Sequence, residues 1–401
     1  MKYREFGKTG EKISTLGFGC MRFPMMPADP SAPEQKPAVN IPEAVALLRH
    51  AIDNGVNYVD TAYGYHGGES EKIVGLALRD GYRQRTNLAT KFPCWEFKQP
   101  GDFDRILDIQ LERLQTDHLD FYMLHALSRD SWEKIALQGG VLEQLRAAKA
   151  SGKVRRIGFS FHDNLDVFKS IVDHTDAWDF CQIQFNYLDI ANQAGLAGLR
   201  HAAAKGLAVI VMEPLRGGKL ADLMHDDVRK VFDGTGKTNT EWALDFVWNH
   251  PEVSLLLSGM GTRRMVDENM EYADRASAGM LAPQEMAIIA KAREAIEGEN
   301  AVPCTGCEYC IPCPAGVAIP SVFQACNTLA KANATKADEK TDSGESLRAV
   351  RIAEAKAQYA NWVPNFGKTA ESCVSCGRCE KRCPQHIAIS EEMKKAAASF
   401  A

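Results

Sequence analysis

The stretch Asp102-Phe-Asp-Arg-Ile-Leu-Asp-Ile-Gln-Leu-Glu-Arg-Leu114, followed closely by Leu119-Asp-Phe-Tyr-Met-Leu-His125, decides the fold class. Apolar residues in its first half recur at helical spacing, and Asp102 is placed to cap that helix. Its second half is an almost unbroken apolar run, which is typical of a strand buried on both faces. A helix that leads directly into a buried strand predicts one βα unit of a parallel sheet.

The same alternation of short apolar runs and helical stretches extends over roughly the first 275 residues. Asn40 can cap the first helix, Glu43 completes a capping-box pattern, and Asn54-Gly55 ends it. The eight candidate strands are 16–19, 57–60, 87–91, 119–125, 156–160, 180–184, 207–212 and 254–258. An open doubly wound sheet could also be built from this alternation, but eight units in this length favour a closed (β/α)₈ TIM barrel.

Composition places the chain among ordinary globular proteins. It has 401 residues, of which 45% are hydrophobic and 25% charged, with a formal net charge of −5. A net negative charge gives no support for a nucleic-acid binder. Neither an apolar run of roughly 18 to 20 residues nor the apolar stretch of a signal peptide is found, so we expect a cytoplasmic protein with no membrane partner.

Eight of the twelve cysteines fall into two short runs near the C-terminal end. The barrel pattern stops near residue 298, so the sequence predicts a barrel domain over 1–297 and a second, mainly α-helical domain over 298–401. Clustered cysteines in a chain of this kind favour a metal site over disulfides. The runs are Cys304-x₂-Cys307-x₂-Cys310-x₂-Cys313-Pro and Cys373-x₂-Cys376-x₂-Cys379-x₃-Cys383-Pro.

The second run has the spacing of bacterial ferredoxins, in which three thiolates hold one cluster and the fourth binds the other. Two such runs supply ligands for two 4Fe-4S clusters, although the shorter spacing before Cys313 leaves a single cluster possible. Zinc is the alternative metal, since Cys-x₂-Cys pairs also form tetrahedral zinc sites. The long helical segment between the runs resembles an α-helical dicluster ferredoxin. That resemblance implies one ligand set of Cys304, Cys307, Cys310 and Cys383 and another of Cys373, Cys376, Cys379 and Cys313.

Four polar side chains stand at or just after the ends of three candidate strands: Asp60, Tyr65, Lys91 and His125. In a barrel these positions converge at the C-terminal face. Carbonyl reduction needs a proton donor at the developing alkoxide, and a tyrosine can fill that role. We expect a neighbouring ammonium to lower the tyrosine pKa and a carboxylate to orient the lysine. A histidine can hydrogen-bond the carbonyl oxygen.

The stretch Asp60-Thr-Ala-Tyr-Gly-Tyr65-His-Gly-Gly-Glu-Ser-Glu71, together with Thr90-Lys91 and Tyr122-Met-Leu-His125, resembles the aldo/keto reductase family. By the family's spacing Tyr65 matches the catalytic tyrosine and Tyr63 does not. The resemblance covers roughly residues 1 to 275. It implies a (β/α)₈ barrel, NADP or NAD as cofactor, and a catalytic tetrad of Asp60, Tyr65, Lys91 and His125.

The resemblance also suggests cofactor contacts along the same rim. Met212 stands where the family places an aromatic residue against the nicotinamide, and a thioether can pack on a ring. Arg263 or Arg264 could pair a 2′-phosphate, which leaves NADP versus NAD open. The candidate cofactor contacts are Gly19, Cys20, Met21, Ser160, Gln182, Met212, Leu215, Gly217, Gly218, Gly259, Glu268 and Asn269.

The two halves of the sequence suggest a combined function. The leading hypothesis is hydride transfer between NAD(P)H and a small carbonyl or alcohol, with the clusters relaying single electrons to or from a ferredoxin- or flavodoxin-like partner. A second hypothesis is an ordinary carbonyl reductase whose clusters are structural or sense oxidation. A third is a barrel that binds nucleotide and regulates a partner without catalysis.

Overall fold

A computed structural model describes residues 1–27, 37–221, 231–297, 302–306, 308–335, 340 and 344–401. Internal contacts divide the chain into two units. One comprises Met1–Leu215 with Lys237–Met286, and the other comprises Arg216–Gly236 with Ala287–Ala401. The predicted boundary between 297 and 298 adjoins the segment 298–301, which lies outside the described residues, as does Cys307. That boundary therefore stays a prediction.

The first unit is a closed barrel of eight parallel strands, which confirms the predicted fold class. The barrel closes where its last strand, Val253–Ser258, pairs with its first, Leu16–Gly19, and Leu256 lies opposite Leu16. This pairing excludes the open doubly wound sheet. The barrel strands are β3 (Leu16–Gly19), β4 (Tyr58–Asp60), β5 (Asn87–Phe92), β6 (Leu119–Leu127), β7 (Val154–Phe161), β8 (Phe180–Gln184), β9 (Ala208–Met212) and β10 (Val253–Ser258).

Helices connect the strands as the periodicity predicts. The main ones are α1 (Ile41–Asp53), α2 (Glu69–Ala77), α3 (Asp102–Leu114), α4 (Val141–Ala150), α5 (Leu165–His174), α6 (Gly195–Ala204), α7 (Asn239–Trp248), α8 (Arg263–Ala273) and α9 (Pro283–Glu297). The Asn40 side chain accepts from the Glu43 amide at 3.4 Å, as expected of an N-cap. The predicted cap at Asp102 is wrong. Gly101 is the N-cap, because the Asp102 carboxylate turns back to accept from the amides of Lys98 and Gln99.

A hairpin that the sequence patterns did not predict precedes the barrel. Its strands are β1 (Tyr3–Glu5) and β2 (Lys12–Ser14), which pair antiparallel. Phe6, between them, is fully buried, and its ring centroid lies 4.8 Å from that of Phe121 near the start of β6. The hairpin therefore closes the end of the barrel where the strands begin, which leaves the carboxyl ends of the strands for a site.

The second unit is mainly helical, as predicted. Its helices include α10 (Ile319–Ala334), α11 (Leu347–Ala357) and α12 (Ile389–Phe400). Val322, Phe323 and Met393 belong to a small apolar core, and six cysteines of the two runs pack against it as partly buried side chains. Because the cysteines border the core directly, whatever binds to them also borders it.

Within the described parts of the chain, no helix combines the length and the apolar character that crossing a membrane requires.

Candidate active site

An ion pair buried at the carboxyl ends of two adjacent strands forms the centre of the candidate site. Lys91, in β5, donates from Nζ to Asp60 Oδ1 at 2.6 Å and to the Thr61 carbonyl oxygen at 2.7 Å. Lys91 is 0% exposed and Asp60, which ends β4, is 2% exposed. A buried ammonium requires such compensation, so the carboxylate fixes both the charge and the direction of the lysine.

Tyr65 and His125 lie beside this ion pair, so the structure brings the four predicted side chains together. Lys91 Nζ is 4.8 Å from the centroid of the Tyr65 ring. The His125 ring, in β6, stands nearly perpendicular to the Tyr65 ring with centroids 6.1 Å apart. The Tyr63 ring instead packs against Arg113, whose guanidinium carbon lies 4.5 Å from the ring centroid. The geometry thus singles out the same tyrosine as the motif spacing.

The electrostatics of Tyr65 differ from the sequence prediction. Burial raises the pKa of Tyr65 well above its usual value, and the nearby Asp60 carboxylate adds to the rise. The predicted lowering of the Tyr65 pKa is therefore wrong, because burial and the Asp60 carboxylate both shift it upward. A protonated Tyr65 over the ordinary pH range suits a group that must donate a proton.

His125 is held neutral by its surroundings. Burial lowers its pKa well below the usual range, and the nearby Lys91 and His162 act in the same direction. Its Nδ1 atom is buried, with no hydrogen-bond partner in the described part of the chain. A neutral imidazole carries one N–H donor and one acceptor, so it can donate to a carbonyl oxygen without competing for the proton of Tyr65.

Two aromatic residues at the site, Trp95 and His66, were not predicted from the sequence. Trp95 packs its ring 4.9 Å from that of His125 and remains 51% exposed. His66 follows Tyr65 in the left-handed region, with φ of 52°, and its Nε2 accepts from the Phe23 amide at 3.3 Å. A residue other than glycine in this conformation is held by its surroundings, so His66 helps to fix the turn that carries Tyr65. The adjacent Gly67-Gly68 was the available signal for such a turn.

A buried polar network lies directly behind the ion pair. The carboxylate of Glu71 accepts from Thr90 Oγ1 at 2.7 Å, from Gln110 Nε2 at 2.5 Å and from Arg113 at 3.1 Å. Gln110 Nε2 also donates to the Lys91 carbonyl oxygen at 3.1 Å. The network therefore ties α2 and α3 to the strand end that presents Lys91. Its members are far apart in the sequence, so no local pattern shows it.

Ser160 and Gln182, the predicted carboxamide-holding pair, lie opposite each other on β7 and β8. Gln182 Nε2 donates to Met212 Sδ at 3.5 Å, while Gln182 Oε1 is buried without a hydrogen-bond partner among the described residues. Ser160 Oγ accepts from the Ala126 amide at 2.7 Å, which leaves its hydroxyl proton available. A buried acceptor and a free hydroxyl donor on one strand pair fit the amide of a nicotinamide.

The remaining predicted cofactor contacts lie on two neighbouring rim segments. The Cys20 amide donates to the Asp60 carbonyl oxygen at 2.8 Å, which ties the segment Gly19, Cys20 and Met21 to the ion pair. Asn269 Nδ2 donates to Ser258 Oγ at 2.9 Å in a buried position. Gly259 packs closely against the Arg22 side chain. A Cβ added at Gly259 would lie 2.8 Å from the Cγ atom of Arg22.

The predicted adenosine-end residues are mostly at the surface. Glu268 lies 3.9 Å from Arg264, and Arg263 pairs with Asp267 at 3.1 Å. These are solvent-exposed pairs one helical turn apart on α8, and such pairs contribute little to stability. Either arginine is therefore able to exchange its partner for a phosphate.

The predicted phosphate segment spans the division between the two units. Leu215 ends a part of the barrel unit, whereas Gly217 and Gly218 belong by their contacts to the cysteine-containing unit. Gly217 has φ of 67°, and an added Cβ would lie 2.5 Å from the Thr305 carbonyl oxygen. The backbone after β9 is therefore close-packed against the first cysteine run, which the sequence did not indicate.

A cavity in the second unit is lined by cysteines of both runs. Its lining combines cysteines of both runs with apolar side chains: Cys304, Thr305, Glu308, Cys310, Ile319, Pro320, Phe323, Cys383, Pro384, Gln385, Ile387 and Ile389. The Gly306 amide, in the left-handed region, donates to Cys304 Sγ at 3.4 Å. Thiolates around an apolar cavity with an amide aimed at sulfur are a donor set suited to an iron-sulfur cluster.

The cysteines also approach one another across the two runs. Burial raises the pKa of the Cys383 thiol, and the neighbouring Cys304 contributes. Burial likewise raises the pKa of Cys379, with Cys313 as a contributing neighbour. Cys373 is partly exposed and Cys376 is exposed at the surface. The last cysteine of each run thus lies beside the other run.

Comparisons with known proteins agree with this geometry. Residues 15–294 match the model of the aldo/keto reductase family, and residues 303–388 match that of a 4Fe-4S dicluster domain. L-galactose dehydrogenase of Arabidopsis thaliana is 28% identical over 290 residues, which cover 67% of this chain and 87% of the relative.

Solved structures give the same result. The holo form of aldo-keto reductase AKR11C1 from Bacillus halodurans is 25% identical with a TM-score of 0.60, over 73% of this chain and 96% of that one. An aldo/keto reductase from Klebsiella pneumoniae in complex with NADP and acetate is 27% identical with a TM-score of 0.57, over 72% and 94% of the two chains. The chain therefore belongs to the aldo/keto reductase family, as an NAD(P)-dependent oxidoreductase that carries a C-terminal 4Fe-4S dicluster domain.

Proposed function

We propose that the protein interconverts a small carbonyl compound and its alcohol with NADP(H) or NAD(H), and that two 4Fe-4S clusters connect this reaction to a one-electron carrier protein. The observation that carries the reductase part is the buried Lys91–Asp60 ion pair beside Tyr65 and His125. The barrel spans 1–297 and the cluster domain 298–401 in this proposal.

The reduction divides between a hydride and a proton. When bound, NAD(P)H supplies a hydride to the carbonyl carbon. The Tyr65 hydroxyl donates its proton to the carbonyl oxygen as negative charge develops there, and neutral His125 donates a hydrogen bond that positions this oxygen. Lys91 stabilises the phenolate that remains, and Asp60 holds Lys91 in place. Carbonyl, NAD(P)H and one proton thus give alcohol and NAD(P)⁺.

The cofactor site is proposed along the rim already described. Ser160 and Gln182 hold the carboxamide, Met212 packs on the ring, and Gly19, Cys20 and Met21 line the pocket. Leu215, Gly217 and Gly218 offer backbone amides to the phosphates, where glycines allow close approach. Gly259, Glu268 and Asn269 bind the adenosine end. The Gln182 Oε1 atom, which has no hydrogen-bond partner among the described residues, supports this placement.

The proposed clusters use crossed ligand sets. One set is Cys304, Cys307, Cys310 and Cys383, and the other is Cys373, Cys376, Cys379 and Cys313. The proximity of Cys383 to Cys304 and of Cys379 to Cys313 supports the crossing. The exposed Cys376 supports electron exchange with a ferredoxin- or flavodoxin-like partner, because it brings one ligand to the surface.

The reductase proposal is tested by following NADPH and NADH oxidation with a panel of small aldehydes and ketones. We expect Tyr65→Phe to lower kcat by about 10²- to 10⁴-fold, the usual contribution of a general acid. Tyr63→Phe is the matched control, since Tyr63 contacts Arg113 outside the tetrad. Equal activity of the wild type and Tyr65→Phe would contradict the assignment.

The relay proposal is tested separately by recording the visible spectrum of the anaerobic holoprotein before and after NADPH is added. Bleaching of the cluster absorbance, with electrons passing to an added flavodoxin, supports the relay. One NADPH that reduces two clusters by one electron each becomes NADP⁺ and releases one proton, so atoms and electrons balance. Because nicotinamide gives its two electrons together as hydride, the proposed relay requires an intermediate carrier or a substrate that can take the electrons singly. A cluster spectrum that ignores NADPH while carbonyl reduction proceeds would instead favour clusters that are structural or sense oxidation.

A further inference from the structure

Three polar residues that the proposed function does not use line the cavity bordered by Cys304, Cys310 and Cys383: Thr305, Glu308 and Gln385. Of these three, Thr305 is the buried one. Thr305 follows the first cysteine of its run and is 2% exposed. Its Oγ1 atom is buried and has no hydrogen-bond partner in the described ranges of the chain. A hydroxyl buried without a partner is destabilising, so native proteins seldom contain one that makes no hydrogen bond.

The backbone around Thr305 is held from outside the cavity. Lys219 Nζ donates to the Cys304 carbonyl oxygen, and Gly217 packs against the Thr305 carbonyl oxygen, where an added Cβ would lie at 2.5 Å. On the other side, the Gly306 amide donates to Cys304 Sγ. Because these contacts fix the peptide units on both sides, the Thr305 side chain keeps its place among the residues that line the cavity.

We propose that the Thr305 hydroxyl donates a hydrogen bond to a sulfur atom of the cluster bound by Cys304, Cys310 and Cys383, and thereby raises the reduction potential of that cluster. The proposal rests on the proposed function, in which this cavity holds a 4Fe-4S cluster. Reduction adds one negative charge, so a donor aimed at sulfur stabilises the reduced state more than the oxidised state. Threonine can provide this donor because its hydroxyl rotates freely toward an acceptor.

The test is an anaerobic redox titration of the full-length holoprotein, followed by electron paramagnetic resonance, with iron content measured on the same samples. At the wild-type midpoint potential, we expect Thr305→Val to lower the ratio of reduced to oxidised cluster about three- to tenfold; tenfold corresponds to 59 mV for one electron. Thr305→Ser keeps the donor and should stay within about twofold of the wild type.

The control is Thr328→Val in the same unit, because the Thr328 hydroxyl bonds to Gln358 Oε1 at 2.8 Å and not to a cluster ligand. Its midpoint should equal that of the wild type. An unchanged midpoint in iron-replete Thr305→Val would overturn the proposal. A shift of equal size in Thr305→Ser would overturn it too, since the cause would then be packing of the methyl group.

A second measurement covers the case in which Thr305→Val fails to assemble its cluster. Electron-nuclear double resonance of the reduced wild-type protein should show an exchangeable proton coupled to this cluster that disappears in D₂O and is missing in Thr305→Ala. Absence of that proton in the wild type overturns the proposal. A wild-type protein with no iron in this cavity contradicts the proposed function itself, and iron analysis alone reveals that outcome.

Discussion

The barrel site and the cysteine cavity differ in how their buried polar groups are compensated. In the barrel, the buried charges compensate each other, since Lys91 and Asp60 form an ion pair at 2.6 Å. In the second unit, cysteines surround an apolar cavity, and the Thr305 hydroxyl has no partner among the residues that the structure describes. From this contrast we expect the fold to organise the reductase site and the cluster unit to depend on its metal.

Removal of iron tests this contrast with the largest expected effect. A structural metal site can supply on the order of 10 kcal/mol of folding free energy, so chelation under oxidising conditions should expose the helices of the second unit. Hydrogen exchange should then rise strongly in Ile319–Ala334 and Ile389–Phe400 but not in Leu119–Leu127 of the barrel. A control variant, Cys326→Ala, should keep both clusters because Cys326 lies outside the two runs. Equal exchange before and after iron removal would show that the unit folds without its metal.

Removal of the lysine tests the barrel half. Lys91→Met leaves the Asp60 carboxylate buried without its cation and should cost about 3–5 kcal/mol of unfolding free energy. Urea unfolding can be followed through the fluorescence of the buried Trp178, Trp242 and Trp248. Burial already raises the pKa of Asp60, so the penalty should shrink as the pH falls and Asp60 takes up a proton.

The matched control is the double variant Asp60→Asn with Lys91→Met, which removes both charges and should recover most of the lost stability. If the single and double variants were equally unstable at neutral pH, the ion pair would not be the element that organises the site.

A smaller loss of stability is expected from a substitution at Gly217, where the chain after β9 packs against the first cysteine run. Gly217→Ala places a Cβ 2.5 Å from the Thr305 carbonyl oxygen in a left-handed residue and should destabilise the second unit by about 2–3 kcal/mol. Gly234→Ala is the matched control, because its φ is 74° but nothing lies within 4 Å of the added Cβ. It should cost only about 1 kcal/mol. Thermal unfolding monitored at the cluster absorbance compares the two, and equal shifts would contradict the close packing at Gly217.

The smallest expected effect is that of His125 on the pH dependence of the free energy of unfolding. Its folded-state pKa is lowered by burial, so the unfolded chain binds a proton that the folded protein does not, and stability declines as the pH falls below about 6.5. His125→Gln should flatten this decline, which for one proton amounts to about 1.4 kcal/mol per pH unit. The check is the free energy of unfolding between pH 5 and pH 8 for both proteins. An identical pH dependence in the two would mean that His125 does not carry the proton uptake.

Much of the fold could be read from the sequence because its signals are local. Buried apolar runs gave the eight barrel strands to within a few residues, as in Leu16–Gly19 and Phe180–Gln184. The tetrad could be named because Asp60 and Tyr65 stand in one short motif and Lys91 and His125 each end an apolar strand. Apolar runs and short motifs are formed by residues close together in the sequence, so they can be recognised without the structure.

What could not be predicted depends on residues brought together by folding. Glu71 of α2 meets Gln110 and Arg113 of α3 behind Lys91, and no periodicity reveals this contact between two helices. The direction of the Tyr65 pKa shift also required the structure, because burial of the ring is its largest cause. The same holds for Thr305, because the sequence does not show that its hydroxyl is buried without a partner in the described part of the chain.

The most direct test of the account is iron and acid-labile sulfide analysis of anaerobically purified protein. Two clusters with crossed ligand sets predict about eight irons and eight sulfides per chain, falling to about four of each in Cys383→Ser, which loses the ligand beside Cys304. About four irons in the wild type would remove Cys313 from the ligand set and leave one cluster. Zinc in place of iron would contradict the assignment of the cysteine cavity and of the electron relay built on it.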